Sequence, residues 1–264
     1  MSVAERFVAV DGLRTRYLED GQGEVVLLLH GASLGSSADV WTRNLPDFAA
    51  RGFRAIAPDL PGFGLSDDPR DASLAYRTAF VPLFLDELGI DRAFLIGHSQ
   101  SGRIGVALAA ADPRRFPKIV VLGTASLLPA LPEAPKESEG DEGAEREPSI
   151  AETRAALESN LFDRTLATDA EVALRQRMSA GRNFEAFRRR QETKARGGAK
   201  LAEVAVPVRL IYGRQDRSAA ARAALLPPTA DIHLLDRAGH LVQWDAQEVF
   251  ARLASEFLAA PKAA

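Results

Sequence analysis

The chain has 264 residues, 46% of them hydrophobic, and carries 33 basic against 36 acidic side chains for a net charge of −3. That size suits one α/β domain, alone or with an insert, and so apolar a chain can bury a large core without metals or crosslinks. There is no cysteine, which excludes disulfides, thiolate catalysis and cysteine-held metal; four histidines without a His-x-x-x-His pair speak against a metal hydrolase, and the charge gives no reason to expect nucleic acid.

Residues 6–10 and 13–18, hinged at Asp11-Gly12, read as an N-terminal hairpin. Val25–Leu29 is an unbroken apolar run, the pattern of a strand buried on both faces, and it ends in His30-Gly31. A helical stretch over Trp41–Ala50 leads to a strand at Arg54–Pro58. The turn after it, Asp59-Leu60-Pro61-Gly62-Phe63-Gly64-Leu65-Ser66-Asp67, is expected to be structural. Next comes a helix with Phe80, Leu83, Phe84 and Leu88 on one face, in which Pro82 marks a kink or a start. Further strands are expected at Phe94–Ile96, Ile119–Leu122, Val208–Tyr212 and Ile232–Leu235, and a last helix joins Val249, Phe250, Leu253 and Phe257 on one face. The alternation predicts a mostly parallel sheet with helices on both faces, and ligands at the carboxyl ends of its strands. The first residues lack the blocks of a signal peptide, and no apolar run approaches the ~18 residues of a membrane span, so a cytoplasmic protein away from membranes is expected.

The alternation breaks over residues 128–200, which read as an insert between two parts of one core domain, 1–127 and 201–264. Residues 129–148 hold four prolines and, from Glu133 to Glu147, seven acids; they read as a mobile, solvated loop. Helices are expected at Ile150–Ser159 and Thr168–Met178, followed by a basic run, Arg188-Arg189-Arg190, read as a solvated helix face. An insert at this point suits a lid over an active site.

Residues 95–102, Leu-Ile-Gly-His-Ser-Gln-Ser-Gly, take an apolar strand into a serine with small neighbours and then a helical pattern. That is the setting of a nucleophile elbow, with Ser99 at its tip. Gly97 meets the demand for a small residue, and Ser101 stands where a second glycine is usual. A serine hydroxyl needs a base, itself held by an acid, and in elbow folds these follow in the order Ser, Asp or Glu, His. Asp216 follows one predicted strand and His240 follows the next. Asp236 lies too near His240 in sequence to serve, and His233 falls within a strand. The oxyanion formed in acyl transfer needs backbone N–H donors: Gln100 supplies one, and Ala32, with Ser33 as the fallback, the other. His30 is expected to brace that loop.

From His30-Gly31 through Pro58–Gly64, the elbow, Gly213-x-x-Asp216 and Gly239-His240, the chain resembles the α/β-hydrolase superfamily over nearly its full length. Within it the chain looks most like the meta-cleavage-product hydrolases, which break a carbon–carbon bond in vinylogous diketones formed during aromatic ring degradation. Glu147-Pro148-Ser149, Leu161–Asp169 and Gly239–Asp245 carry that likeness. It implies a cofactor-free serine hydrolase acting on a small organic molecule, without metal, in which Ser99 is nucleophile, His240 general base and acid, and Asp216 the orienting group. The family's lid arginine, which helps bind the oxo-acid end of the substrate, falls on Arg175 and its asparagine on Asn44; Ser33, His98, Leu241 and Trp244 are further expected to touch substrate. The family's asparagine before the serine is here His98, its methionine after the serine Gln100, its tryptophan after the histidine Leu241, and its glycine-rich oxyanion loop Ala32–Ser37. A carboxylesterase or lactonase, a cofactor-free dioxygenase or lyase, and a ligand receptor are the alternatives on this fold. Oligomeric state is left open, with a homodimer as one option.

Overall fold

The computed structural model describes residues 3–131, 145–192, 200–216 and 219–260. Asp11 and Gly12 both take positive φ, 49° and 76°, the two-residue turn whose twist suits a hairpin. They join β1 (Ala4–Val10) to β2 (Leu13–Asp20). The other strands are β3 (Glu24–Leu29), β4 (Phe53–Pro58), β5 (Phe94–His98), β6 (Ile119–Leu122), β7 (Val208–Gly213) and β8 (Ile232–Leu235). They form one eight-stranded sheet in the order β1-β2-β4-β3-β5-β6-β7-β8, antiparallel at β1–β2 and β2–β4 and parallel elsewhere.

Helices α1 (Leu45–Ala50), α2 (Leu74–Glu87) and α3 (Ser101–Ala111) precede the insert. The insert carries α4 (Ile150–Glu158), α5 (Asp169–Arg177) and α6 (Arg182–Glu192), and α7 (Ala219–Ala223), α8 (Val242–Asp245) and α9 (Gln247–Ala259) follow it. Strand side chains alternate between two cores, as a period of two requires. Val26, Leu28, Ala55, Ile96 and Val120 pack with Phe48 of α1 and Phe250 of α9. Leu27, Leu29, Ile56, Leu95 and Val121 pack with Phe80 and Phe84 of α2 and Ile104 of α3. Both faces are covered, which is why these strands read as continuous apolar runs. Among the described residues no helix is long and apolar enough to cross a membrane.

Two helix faces differ from expectation. Leu83 and Val249 are 42% and 40% exposed. The buried stripe of α2 is Arg77, Phe80, Val81, Phe84 and Leu85, a 3.6-residue period that turns Leu83 outward. Pro82 does not start this helix, which begins at Leu74 with the Ser73 side chain accepting from the Tyr76 N–H.

Within the insert, α4 starts on a capping box between Ser149 and Glu152. Leu157, Leu161 and Val172 pack with Leu241 and Trp244, seating α4 and α5 over the end of the sheet that carries His240. Helix α6 lies along the 59–67 turn, where Asn183 Nδ2 donates to the Gly64 carbonyl and Arg190 Nη1 to that of Gly62, at 3.0 and 2.6 Å. The basic run is therefore not one solvated face. Arg188 and Arg189 are exposed, but the Arg190 guanidinium sits 3.8 Å from the centre of the Phe63 ring. The expectation of a mobile acidic loop falls mostly on 132–144, outside the described residues.

Candidate active site

Strand order reverses direction between β3 and β5, since β4 follows β3 in sequence but lies on its other side. Ligands bind at such switch points, beyond the carboxyl ends of the strands. With Leu29 paired to Gly97, the loops after β3 and β5 leave the sheet side by side. A Cβ on Gly31 would lie 3.1 Å from the Ser99 Cβ, so the two loops run in tight contact there.

The elbow is strained where its chemistry sits. Ser99 has φ 54°, a left-handed conformation that costs a residue with a side chain energy and is sustained only by its surroundings. Here the Ser99 N–H donates to the Leu122 carbonyl at 2.8 Å and its own carbonyl accepts from Thr124 Oγ1 at 2.6 Å. A Cβ on Gly97 would stand 2.5 Å from the Ser101 carbonyl oxygen, so that glycine is obligatory. Ser101, in the usual glycine place, donates its hydroxyl to the His30 carbonyl at 2.5 Å and so ties the two loops together.

His240 Nδ1 donates to Asp216 Oδ2 at 3.0 Å. Asp216, only 6% exposed, sits in the turn after β7, where its N–H donates to the Gly213 carbonyl. A carboxylate on Nδ1–H leaves the lone pair of the imidazole on Nε2. Gly123, at φ 56°, closes over this ring: a Cβ there would be 3.1 Å from both Cε1 and Nδ1 of His240. The rejected residues are engaged elsewhere, Asp236 with Arg214 Nε at 2.5 Å and His233 with Asp231 at 3.1 Å.

The backbone N–H groups of Ala32 and Gln100 have no acceptor among the described residues. Two idle amides on adjacent loops can receive the charge that develops on a carbonyl oxygen. His30 holds the first loop: its Nδ1 donates to the Gly31 carbonyl at 2.6 Å and its Nε2 accepts from the Leu60 N–H at 3.0 Å. Burial holds its pKa down to about 4, which suits this neutral, bridging tautomer.

Beside His240 opens a cavity, and Ser33, His98, Arg175, Leu241 and Trp244 all line it. Arg175 Nη2 donates to Ser33 Oγ at 2.9 Å, which sets a guanidinium next to the Ala32 loop. His98 donates from Nε2 to the His240 carbonyl at 3.1 Å, and the two rings lie 4.8 Å apart. Burial, first, and then the neighbouring His240 ring hold His98 well below its ordinary pKa, so it is neutral. Asn44 is placed differently from expectation: it lies fully buried outside the cavity lining, and its Nδ2 donates to the Gln243 carbonyl at 2.9 Å, pinning the start of α1 to α8.

Sequence reasoning missed several wall residues, among them Asp39, Val40, Leu157, Asn160, Glu171 and Leu174. Glu171 stands four residues before Arg175 on α5, so helical spacing from the arginine would have found it, and Leu174 stands three residues after Glu171. Both wall carboxylates are engaged by other arginines, Asp39 by Arg16 at 2.9 Å and Glu171 by Arg43 at 3.1 Å.

A serine in a strained elbow and a carboxylate-braced histidine, each just past the carboxyl end of a strand in a mostly parallel sheet, are the marks of a serine hydrolase of the α/β class. The chain belongs to the alpha/beta hydrolase family, whose model matches residues 26–253. It is 31% identical to a 2-hydroxy-6-oxononadienedioate/2-hydroxy-6-oxononatrienedioate hydrolase of Cupriavidus pinatubonensis, over 96% of this chain and 94% of the relative. It is 30% identical to a 2-hydroxy-6-oxo-6-phenylhexa-2,4-dienoate hydrolase of Burkholderia cepacia, over 98% and 97%. Among solved structures it is similar to a meta-cleavage product hydrolase from Pseudomonas fluorescens IP01, with a TM-score of 0.82 and 27% identity over 96% of this chain and 97% of the other.

Proposed function

We propose that this protein hydrolyses the carbon–carbon bond beside the distal ketone of a 2-hydroxy-6-oxo-dienoate. The observation that carries the reading is Arg175 on the Ser33 hydroxyl, in the same cavity as His240. A guanidinium there suits the oxo-acid end of such a substrate, an anchor that a simple ester does not need.

The chemistry then follows. The dienol first becomes a ketone, losing its hydroxyl proton and gaining one at the carbon next to the distal ketone. His240 Nε2 takes a proton from Ser99, or from a water, which attacks that ketone, and the N–H groups of Ala32 and Gln100 hold the oxyanion. The carbon–carbon electrons leave with the oxo-acid fragment as a dienolate, which takes up a proton to become a hydroxydienoate. The acyl fragment ends as a carboxylic acid, released from Ser99 by water where the serine attacks. Asp216 keeps the imidazole in its working tautomer. Leu241, Trp244 and His98 shape the floor, and residues 128–200 act as a lid whose Leu157, Asn160 and Leu174 wall the cavity of a core made by 1–127 and 201–264. We read the cysteine-free chain as cytoplasmic.

The test is bleaching of a yellow 2-hydroxy-6-oxo-hepta-2,4-dienoate, run beside nitrophenol release from p-nitrophenyl acetate. Loss of colour with a kcat/KM above that for the ester is expected. An untouched dienoate with brisk ester turnover replaces this reading by the esterase or lactonase one.

A further inference from the structure

Asp245 ends α8, close after His240 in the chain, and stands outside the cavity lining. Its carboxylate joins two segments that are far apart in sequence. Oδ2 accepts from the Gly239 N–H at 2.8 Å and from the Phe162 N–H at 3.0 Å, and Oδ1 accepts from the Asp163 N–H at 3.0 Å. A fourth bond crosses the same junction, from the Leu241 N–H to the Asn160 carbonyl at 2.9 Å. A Cβ on Gly239 would stand 2.9 Å from that carbonyl oxygen. Gly239 and Leu241, the two neighbours of His240, are both buried. One of their N–H groups is thus satisfied by the insert and the other by a carboxylate that the insert shares. A buried N–H left without an acceptor is costly, so the loop keeps this conformation only while 160–163 is seated on it.

The core supports the rest of the loop. The Ala238 N–H donates to Gln215 Oε1 at 3.0 Å, and Gly213 has the Ala238 and Gly239 carbonyls where a Cβ would go. Helix α8 is fixed at the Gln243 carbonyl by Asn44 and by Trp244 Nε1, which donates to the Val40 carbonyl at 2.7 Å. Asp245 therefore reaches out from a firm base. On the other side of the junction, Leu157 and Asn160 line the cavity, and Leu161 packs with Leu241 and Trp244. One short segment both walls the cavity and holds the backbone on either side of His240. We propose that Asp245 is a positioning residue that makes the placement of His240 depend on a seated lid, so that the base is aligned on Asp216 when the cavity is walled from water. This rests on His240 as the base of the proposed reaction, but not on the carbon–carbon substrate.

The probe is p-nitrophenyl acetate, with wild type, Asp245→Asn, Asp245→Ala, Leu161→Ala and the double variant Leu161→Ala/Asp245→Ala. Asp245→Ala should lower kcat about 10- to 100-fold while KM moves less than about threefold, because misplacing a catalytic group by about 1 Å costs on the order of 100-fold. Asp245→Asn can keep two of the N–H groups on its one oxygen and should restore most of the rate. Leu161→Ala loosens the lid side alone and should lower kcat by a smaller factor. The double variant should lose less than the product of the single effects, since both break one coupling. Amide hydrogen exchange reads the junction without any substrate: in Leu161→Ala, Gly239 and Leu241 should lose protection together with Phe162 and Asp163. That arm also covers the case in which Asp245→Ala does not fold. An unchanged kcat in Asp245→Ala, effects that multiply, or lid amides that loosen while Gly239 and Leu241 stay protected overturn the coupling. If the coupling holds on the ester but no dienoate is cleaved, Asp245 keeps this role and the carbon–carbon reading falls.

Discussion

Replacing Arg175 by alanine should separate dienoate cleavage from ester hydrolysis. The guanidinium lies on Ser33 Oγ at 2.9 Å, one residue past the expected oxyanion donor Ala32. The other charges of the wall, Asp39 and Glu171, are bound to Arg16 and Arg43 and are negative, so they cannot take over a carboxylate. Losing a charge-assisted hydrogen bond to a substrate carboxylate costs about 1.5–3 kcal/mol, which is on the order of 10- to 100-fold in kcat/KM. The remote ketone is positioned through that anchor, so part of the loss should fall on kcat. p-Nitrophenyl acetate has no carboxylate, and its kcat/KM should move less than about threefold. The assay is bleaching of the yellow dienoate beside nitrophenol release, for both proteins under the same conditions. Equal losses on the two substrates would refute the assignment of Arg175 as a substrate anchor and leave it a structural brace of the Ser33 loop.

Ser99→Ala and His240→Ala should each lower kcat by roughly 10⁴–10⁶, and Asp216→Asn by roughly 10³–10⁴ through loss of the working tautomer; Asp236→Asn, on an exposed carboxylate paired with Arg214, should do little, and the reverse ranking of the two aspartates contradicts the assignment. Gly35 has φ 77° and a Cβ there would stand 2.8 Å from Arg175 Cγ, so Gly35→Ala should raise KM for the dienoate more than for the ester; a uniform effect on both speaks against a shared Gly35–Arg175 contact. Stability should fall with acid: His30, held down to about 4, and His98, held well below 6.5, are neutral when folded and charge on unfolding, so the unfolded state binds more protons between pH 6.5 and 4. Asp59, pushed up from 3.8 to about 6 by burial, opposes this by holding a proton only when folded. Near pH 5 the balance is about one proton taken up on unfolding, a slope of about 1.4 kcal/mol per pH unit, measurable by urea titration at pH 5 and 6; a flat or inverted slope counts against the buried neutral histidines.

The elbow was legible because sterics permit so few residues there. Gly97 has a carbonyl where its Cβ would go, and the strand before it is covered on both faces. Asp216 and His240 were legible by order along the chain, since each follows a strand whose carboxyl end faces the site. What the sequence hid depends on contacts between distant segments. Asn44 turns into the core because a carbonyl 199 residues away, on Gln243, accepts its amide. Arg190 looks like part of a charged surface until α6 is laid on the 59–67 turn, where an aromatic ring and a carbonyl await it. Arg77 gives no signal in one dimension, since only the three-dimensional packing of α2 against the elbow brings it to Gln100. Leu83 was misplaced by a phase error, as its neighbours Val81, Phe84 and Leu85 take the buried stripe.

The central claim is hydrolytic cleavage of a carbon–carbon bond at Ser99 and His240. Its most direct measurement is product analysis after turnover of a 2-hydroxy-6-oxo-dienoate in oxygen-18-labelled water. A hydroxydienoate and a carboxylic acid should form in equal amounts, the acid carrying one solvent oxygen, and Ser99→Ala should form them at least about 10⁴-fold more slowly. A dienoate left intact while esters turn over, or an acid whose new oxygen comes from dioxygen, would contradict it.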